Sequence, residues 1–329
     1  MQTLSQSQLQ AALKAADEAD ASPQERAEML MEIAMGLQQR PQSAQQLHEA
    51  VALYERAYEI APPHAALLRA RVQARMATAL QALPEGGVEP LERALACLQD
   101  ALPRLQAEGT PEEAAEAELN QGLVQQALSG SGRARIQDAI NAYLRALRTF
   151  TRERWPQEFA ILHNNLAIAY LSIPATDERS RLREALAVQS FEEVLKVITL
   201  IDHPSEYAMI QNNLGNALQT ATTSHVLENH LRALAAYDEA LKVRNPRDTP
   251  LEYANTIANK ANVLRVLEPD AARDVAQADL GDPRAEALAL LREAGALLAR
   301  HGDAGKAALV AEAAAEIEAE LAQRRRQAS

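Results

Sequence analysis

Large aromatic side chains, sulfur and flexible backbone are all scarce in this 329-residue chain: aromatics make up 3%, with one tryptophan, one cysteine and 12 glycines. A lone Cys97 excludes an internal disulfide and a thiolate zinc site, and it fits a reducing compartment. Few glycines and no sustained period-2 alternation exclude a sheet-rich fold. Basic excess is missing too, since the formal net charge is −12, whereas a nucleic-acid binder shows a basic face. The one basic run, Arg324-Arg325-Arg326, reads as a solvated tail at the negative end of a last helix. No apolar run is long enough to span a membrane, and MQTLSQSQLQ lacks the basic-then-apolar pattern of a secretion signal. The expectation is a cytoplasmic chain that binds neither nucleic acid nor membrane.

Catalytic and metal motifs are absent as well. There is no HExxH, and His48, His64, His163, His203, His225, His230 and His301 are scattered. Only His225 and His230 are close in sequence, and five apart is the wrong spacing for one helix face. GDAGK at 302–306 lacks the spacing and the preceding strand of a phosphate loop, and it reads as a turn between helices, as does SGSG at 129–132. Cys97, within ALACLQDAL, reads as a small buried hydrophobe. No nucleophile stands beside a recognisable base. A non-enzyme without cofactor or metal is expected.

What the chain does contain is a repeat. Five segments align on a proline: SPQERAEMLMEIAMGL from Ser22, TPEEAAEAELNQGLVQQAL from Thr110, WPQEFAILHNNLAIAY from Trp155, HPSEYAMIQNNLGNAL from His203 and TPLEYANTIANKANVL from Thr249. Proline suits a first helical turn, where its missing N–H costs nothing, and Ser22, Thr110 and Thr249 before it suit an N-cap. Eleven residues past each proline stands a small residue: Ala34, Gly122, Ala167, Gly215 and Ala261. A weaker copy from His64 supplies Ala77.

Between these segments a second helix carries Ala-x3-large-x2-small. The copies are Ala50/Tyr54/Ala57, Ala94/Leu98/Ala101, Ala139/Tyr143/Ala146, Ala187/Phe191/Val194, Ala233/Tyr237/Ala240 and Ala287/Leu291/Ala294. Small residues let two helices approach, and the large one fills the hole between them. The sequence therefore predicts an all-α, helix-turn-helix solenoid in which each pair buries its faces on its neighbours. Residues 1–21 form a leading helix (near 6–19), 22–300 form six pairs, and 301–329 form a C-terminal capping helix and basic tail. The connection inside the sixth pair, EPDAARDVAQADLGDPR, is long and acidic and reads as an inserted loop.

LAIAY at 166–170, followed downstream by A-x3-Y-x2-A, resembles the tetratricopeptide repeat (TPR), in a form longer than the usual unit. The long repeats are similar to those of kinesin light chains and of bacterial TPR proteins joined to caspase-like proteases; RERWPQEFAILHNNLAIAY is typical of the latter. The likeness covers about residues 22–300. It implies a right-handed superhelix whose first helices line a concave groove for a protein or peptide partner. Its expected role is an interaction scaffold or adaptor; the alternative is a target-sensing subunit of a separately encoded caspase-like protease.

Nine of the 12 asparagines lie on the first helices, although asparagine is a poor helix former. Numbering each first helix so that the small residue is position 8, position 6 is Asn120, Asn165, Asn213 and Asn259 in four consecutive repeats. Positions 4, 7, 8 and 11 pack inward, while 2, 6, 9 and 13 share another face. The resemblance implies an asparagine ladder that grips a peptide backbone, as in kinesin light chains and O-GlcNAc transferase. An amide offers two donors and two acceptors in a plane, matching a peptide unit. Asn164, Asn212, Asn216, Asn255 and Asn262 extend the candidate set. A purely structural role, bonding the neighbouring repeat, is the competing reading. In the first two repeats the ladder gives way to Glu28/Glu32 and Arg71/Arg75, charges that could pair with each other.

Overall fold

The structure, a computed structural model, describes residues 10, 11, 13, 14, 16, 20–84, 86–174, 179–222, 225–267 and 282–327. Thirteen helices longer than one turn are described: α1 (Pro23–Gln39), α2 (Ala44–Ile60), α3 (Ala66–Gln81), α4 (Val88–Glu108), α5 (Pro111–Ser129), α6 (Ile136–Ala146), α7 (Pro156–Leu171), α8 (Ser180–Leu195), α9 (Pro204–Thr220), α10 (Val226–Leu241), α11 (Pro250–Val266), α12 (Pro283–Arg300) and α13 (Ala304–Gln327). No strand occurs among the described residues. Of the expected leading helix, residues 10, 11, 13, 14 and 16 are helical; the acidic connection at 268–281 lies outside the described residues.

The chain forms two compact units, Met1–Asn165 and Leu166–Ser329. In the first, α1 packs on α2, α3 on α4 and α5 on α6, and each pair packs on the next through α2–α3 and α4–α5. In the second, α9 packs on α10 and α11 on α12, α8–α9 and α10–α11 join successive pairs, and α13 covers α12. First helices also touch first helices: α1–α3 and α3–α5 in the first unit, α9–α11 in the second.

The small-large-small signature is the core. All eighteen signature residues, from Ala50/Tyr54/Ala57 to Ala287/Leu291/Ala294, are at most 1% exposed. The small residues of the first helices meet them closely. A Cβ added to Gly215 would lie 2.5 Å from Cε1 of Tyr237, and one added to Gly122 would meet Tyr143 closer still. Glycine is required there by contact, not by backbone angle.

The three tyrosines in this position bury a hydroxyl that needs a partner. Tyr54 donates to Gln38 Oε1 at 3.0 Å and Tyr143 to Gln126 Oε1 at 2.8 Å, while the Tyr237 hydroxyl lies 3.0 Å from Gln219 Oε1 and 2.8 Å from Asn216 Oδ1. Each glutamine stands four residues after the small residue, one turn along the first helix. Burial pushes all three phenols far above the ordinary tyrosine range.

Helix starts follow the sequence in part. Ser22 with Glu25 and Thr110 with Glu113 form reciprocal capping boxes on α1 and α5. Thr249 does not cap α11: its hydroxyl accepts from Asn245 N–H at 3.0 Å and so closes the preceding turn. That turn recurs, because Trp155, His203 and Thr249 each donate their N–H to a carbonyl four residues back, of Thr151, Thr199 and Asn245. Trp155 also meets Phe150 edge-on, with ring centroids 5.7 Å apart. Gly302-Asp303 of GDAGK and Gly130-Ser131-Gly132 of SGSG are turns between helices, with Gly302 and Gly132 at φ 91° and 72°, while Ala304-Gly305-Lys306 already open α13. Cys97 is half-buried against the core, and burial pushes its thiol pKa up.

Candidate functional site

The first helices from α5 onward keep one face open. On α5 it carries Glu116, Asn120 and Leu123; on α7 Ile161, Asn165 and Ile168; on α9 Met209, Asn213 and Asn216; on α11 Asn255, Asn259 and Asn262. None of these side chains is buried, and Ile161, Met209 and Ile168 are 47%, 42% and 38% exposed. The stripe predicted to face inward does so at Leu166 and Ala167, whereas His163 and Tyr170 stay half-exposed. His163 stacks on Phe159, with ring centroids 4.3 Å apart.

All nine candidate asparagines are half-buried. Asn120, Asn164 and Asn165 belong to the first unit; Asn212, Asn213, Asn216, Asn255, Asn259 and Asn262 belong to the second. The second set is brought together by the α9–α11 contact, where Asn259 Nδ2 donates to Asn212 Oδ1 at 3.4 Å. Asn165 Nδ2 bonds back to Ile161 O at 2.9 Å within its own helix, and Asn216 Oδ1 serves the Tyr237 hydroxyl. The side chains of Asn120, Asn213, Asn255 and Asn262 make no hydrogen bond to the described protein. Asn164 Oδ1 is enclosed without a partner. The structural role is thus real for Asn216 and for the Asn212–Asn259 pair, and it leaves four amides wholly uncommitted.

The charged end differs from the pairing suggested by the sequence. Arg71 and Arg75 reach forward to the third repeat, not back to Glu28 and Glu32. Arg71 binds Glu113 through two bonds, Nε–Oε1 at 2.7 Å and Nη2–Oε2 at 3.2 Å, and Arg75 Nη1 meets Glu116 Oε1 at 3.0 Å. A forked guanidinium–carboxylate pair is the stronger geometry, and Glu113 is already oriented by its capping box. The Arg71 hydrogen bonds hold the Glu113 carboxyl below the ordinary glutamate range. Glu28 and Glu32 stay exposed on α1. A narrow cleft of about 30 Å³ remains between α3 and α5, bordered by Arg75, Thr78, Glu116 and Asn120. Among the described residues no three His, Cys, Asp or Glu side chains gather as a metal site, and no helix is long and apolar enough to cross a membrane.

Comparison with solved structures fits this geometry. A Signal Transduction ATPase with Numerous Domains (STAND) protein with a tetratricopeptide repeat sensor, from Pyrococcus horikoshii, matches with a TM-score of 0.53 and 14% identity. The match covers 91% of this chain and 44% of the ATPase, so the chain spans under half of that protein. The fold is a tetratricopeptide-like array. Two further matches are looser. The TPR2AB domain of yeast Sti1 in its pHSP90 complex has a TM-score of 0.29 and 17% identity over 89% of this chain and 98% of that one. A human IFIT1 dimer with PPP-AAAA has a TM-score of 0.33 and 15% identity over 89% and 73%. No family model and no curated protein matches the sequence.

Sequence reasoning missed the tyrosine–glutamine pairs, and with them the double life of Asn216. A partial signal was present as a glutamine four residues after the small residue at 38, 126 and 219, in each repeat whose second helix carries tyrosine, although Gln81 stands at the same position in the repeat that carries Leu98.

Proposed function

We propose that this chain is a protein-interaction scaffold that holds an extended segment of a partner protein on the open face of its first helices. The observation that carries the reading is the set of uncommitted amides on that face: Asn120 in the first unit, and Asn213, Asn255 and Asn262 in the second. An amide in a helix interior costs stability against alanine, and these four return no hydrogen bond to the described residues that would offset that cost. Exposed apolar area is offered by Ile161 in the first unit and by Ile168 and Met209 in the second.

Each hydrogen bond that an amide exchanges with a peptide backbone contributes about 0.5–1.5 kcal/mol net, so one or two bonds at each of four amides sum to about 2–12 kcal/mol. Association costs of at least about 4 kcal/mol oppose that sum, so micromolar affinity, near −8 kcal/mol, needs the top of the range or added apolar burial. Backbone recognition is tolerant of sequence; selectivity must come from neighbouring side chains. The test is capture of partners from native lysate by wild type and by the double variant Asn213→Ala/Asn255→Ala. Loss of capture with helicity and melting temperature intact supports the reading. A variant that folds and captures the same partners places binding on another face.

A further inference from the structure

The second unit contains a pocket of about 410 Å³ where the end of α7, the start of α8 and the end of α9 meet. Tyr170, Leu171 and Ile173 give it an apolar wall, and Asn216 and Thr220 stand on its opposite side. Two charged residues also line it, and both are committed to the fold. Glu184, 9% exposed, accepts from Thr222 N–H at 2.7 Å and from the Thr222 hydroxyl at 2.8 Å. Arg183 donates to Pro174 O and to Ser180 Oγ, each at 3.2 Å.

The polar groups left over are neutral. The Tyr170 hydroxyl makes no hydrogen bond to the described protein, and Asn216 has its Oδ1 turned to Tyr237, which leaves the amide NH2 to donate. Tyr170 is itself an exception in the repeat. At its position, three residues after the small one, repeats one, two, five and six carry Leu37, Leu80, Leu218 and Leu264. Three of those leucines are at most 2% exposed, whereas Tyr170 is half-exposed and borders the pocket. A hydroxyl stands where four of the other five repeats carry leucine; repeat three carries Gln125 there.

We propose that this pocket receives one aliphatic or aromatic side chain of the extended partner segment, while the Tyr170 hydroxyl and the Asn216 amide bond the peptide groups beside it. The inference rests on the groove reading and supplies its missing selectivity, because Asn216 belongs to both the open face of α9 and the pocket. The chemistry favours an uncharged occupant. The lining carries one charge of each sign, Glu184 and Arg183, and so selects neither a cation nor an anion, while a charged occupant would lose its hydration against the apolar wall.

The test uses capped amino acids as probes on the full chain, read by backbone amide NMR shifts. N-acetyl-leucine N-methylamide and its phenylalanine counterpart should give saturable shifts, in the millimolar range, at residues 170–174, 180–184 and 216–222. The glycine and aspartate counterparts should shift these residues at least tenfold less at equal concentration. Thr220→Phe, at an exposed position on the rim, should fill the pocket and abolish the leucine response with helicity unchanged. Tyr170→Phe should weaken it a fewfold. The proposal is overturned if no capped residue gives saturable shifts there, if glycine matches leucine, or if Thr220→Phe leaves the leucine response intact. Asn213→Ala should not change the leucine response, so failure of the pocket and failure of the amide face are read separately.

Discussion

Gly215→Ala places one methyl group against the most tightly closed part of the fold. The added Cβ would sit 2.5, 2.8 and 2.9 Å from Cε1, Cζ and Cδ1 of Tyr237. That ring is fully buried, and its hydroxyl is fixed by Gln219 and Asn216, so it cannot swing aside without breaking bonds. The helices must separate instead. Overpacking of this kind costs about 1–3 kcal/mol, and with three ring atoms under 3 Å the upper half of that range applies. Alanine returns about 1 kcal/mol through its better helix propensity. The net expectation is a loss of about 1–2 kcal/mol. Gly36→Ala is the control: nothing lies within 4 Å of its added Cβ, so propensity acts alone and stability rises by roughly 0.5–1 kcal/mol. Relief should come from shrinking the ring: repeats two and six pair an alanine with Leu98 and Leu291, while repeat one pairs Ala34 with Tyr54, so the placement of the ring as well as its size sets the room. Tyr237→Leu added to Gly215→Ala should therefore recover part of the loss, whereas Tyr237→Phe should not. Urea unfolding gives the free energies, and native-state hydrogen exchange should place the loosening in α9–α11 and not along the whole chain. A Gly215→Ala protein as stable as Gly36→Ala would refute the packing argument.

Other consequences are smaller in scale. Tyr143→Phe removes the hydroxyl that donates to Gln126 and should cost about 1 kcal/mol by urea unfolding, with the fold unchanged. Acid should loosen the α3–α5 contact. The Glu113 carboxyl titrates lower when folded than unfolded, so its contribution is complete above the ordinary glutamate range and is lost as pH falls through the folded value. Arg71→Ala should flatten that part of the stability–pH curve, and an unchanged curve would mean that the pair is not coupled to folding.

The repeat was legible because its geometry depends on residue size at fixed spacing. A glycine or alanine eleven residues past a proline, and a large residue four after an alanine on the next helix, state who touches whom without reference to distant chain. Capping was legible at Ser22 and Thr110, where an acidic residue three positions on completes the box, and not at Thr249, which has Glu252 there too but is drawn back by Asn245. Charge partners were harder to read. Glu28 and Glu32 match Arg71 and Arg75 in repeat position, whereas the actual partners Glu113 and Glu116 are each offset toward the start of their helix, and only the reach of the side chains in three dimensions selects them. Asn216 shows the limit for the site. Sequence places it on the open face, but its commitment to Tyr237 depends on the crossing of α9 and α10, which repeat spacing does not encode.

The central claim, that a partner lies on the amide face of the first helices, is tested most directly by site-specific photo-crosslinking in the native cell. A photoreactive residue would replace Asn213 or Asn259 on that face, or Ala235 or Asp238 on exposed positions of the second helix α10. Adducts to the same partner protein from 213 and 259, with none from 235 and 238, are the predicted result. Adducts formed from 235 and 238 instead, or equally from all four, would contradict the account.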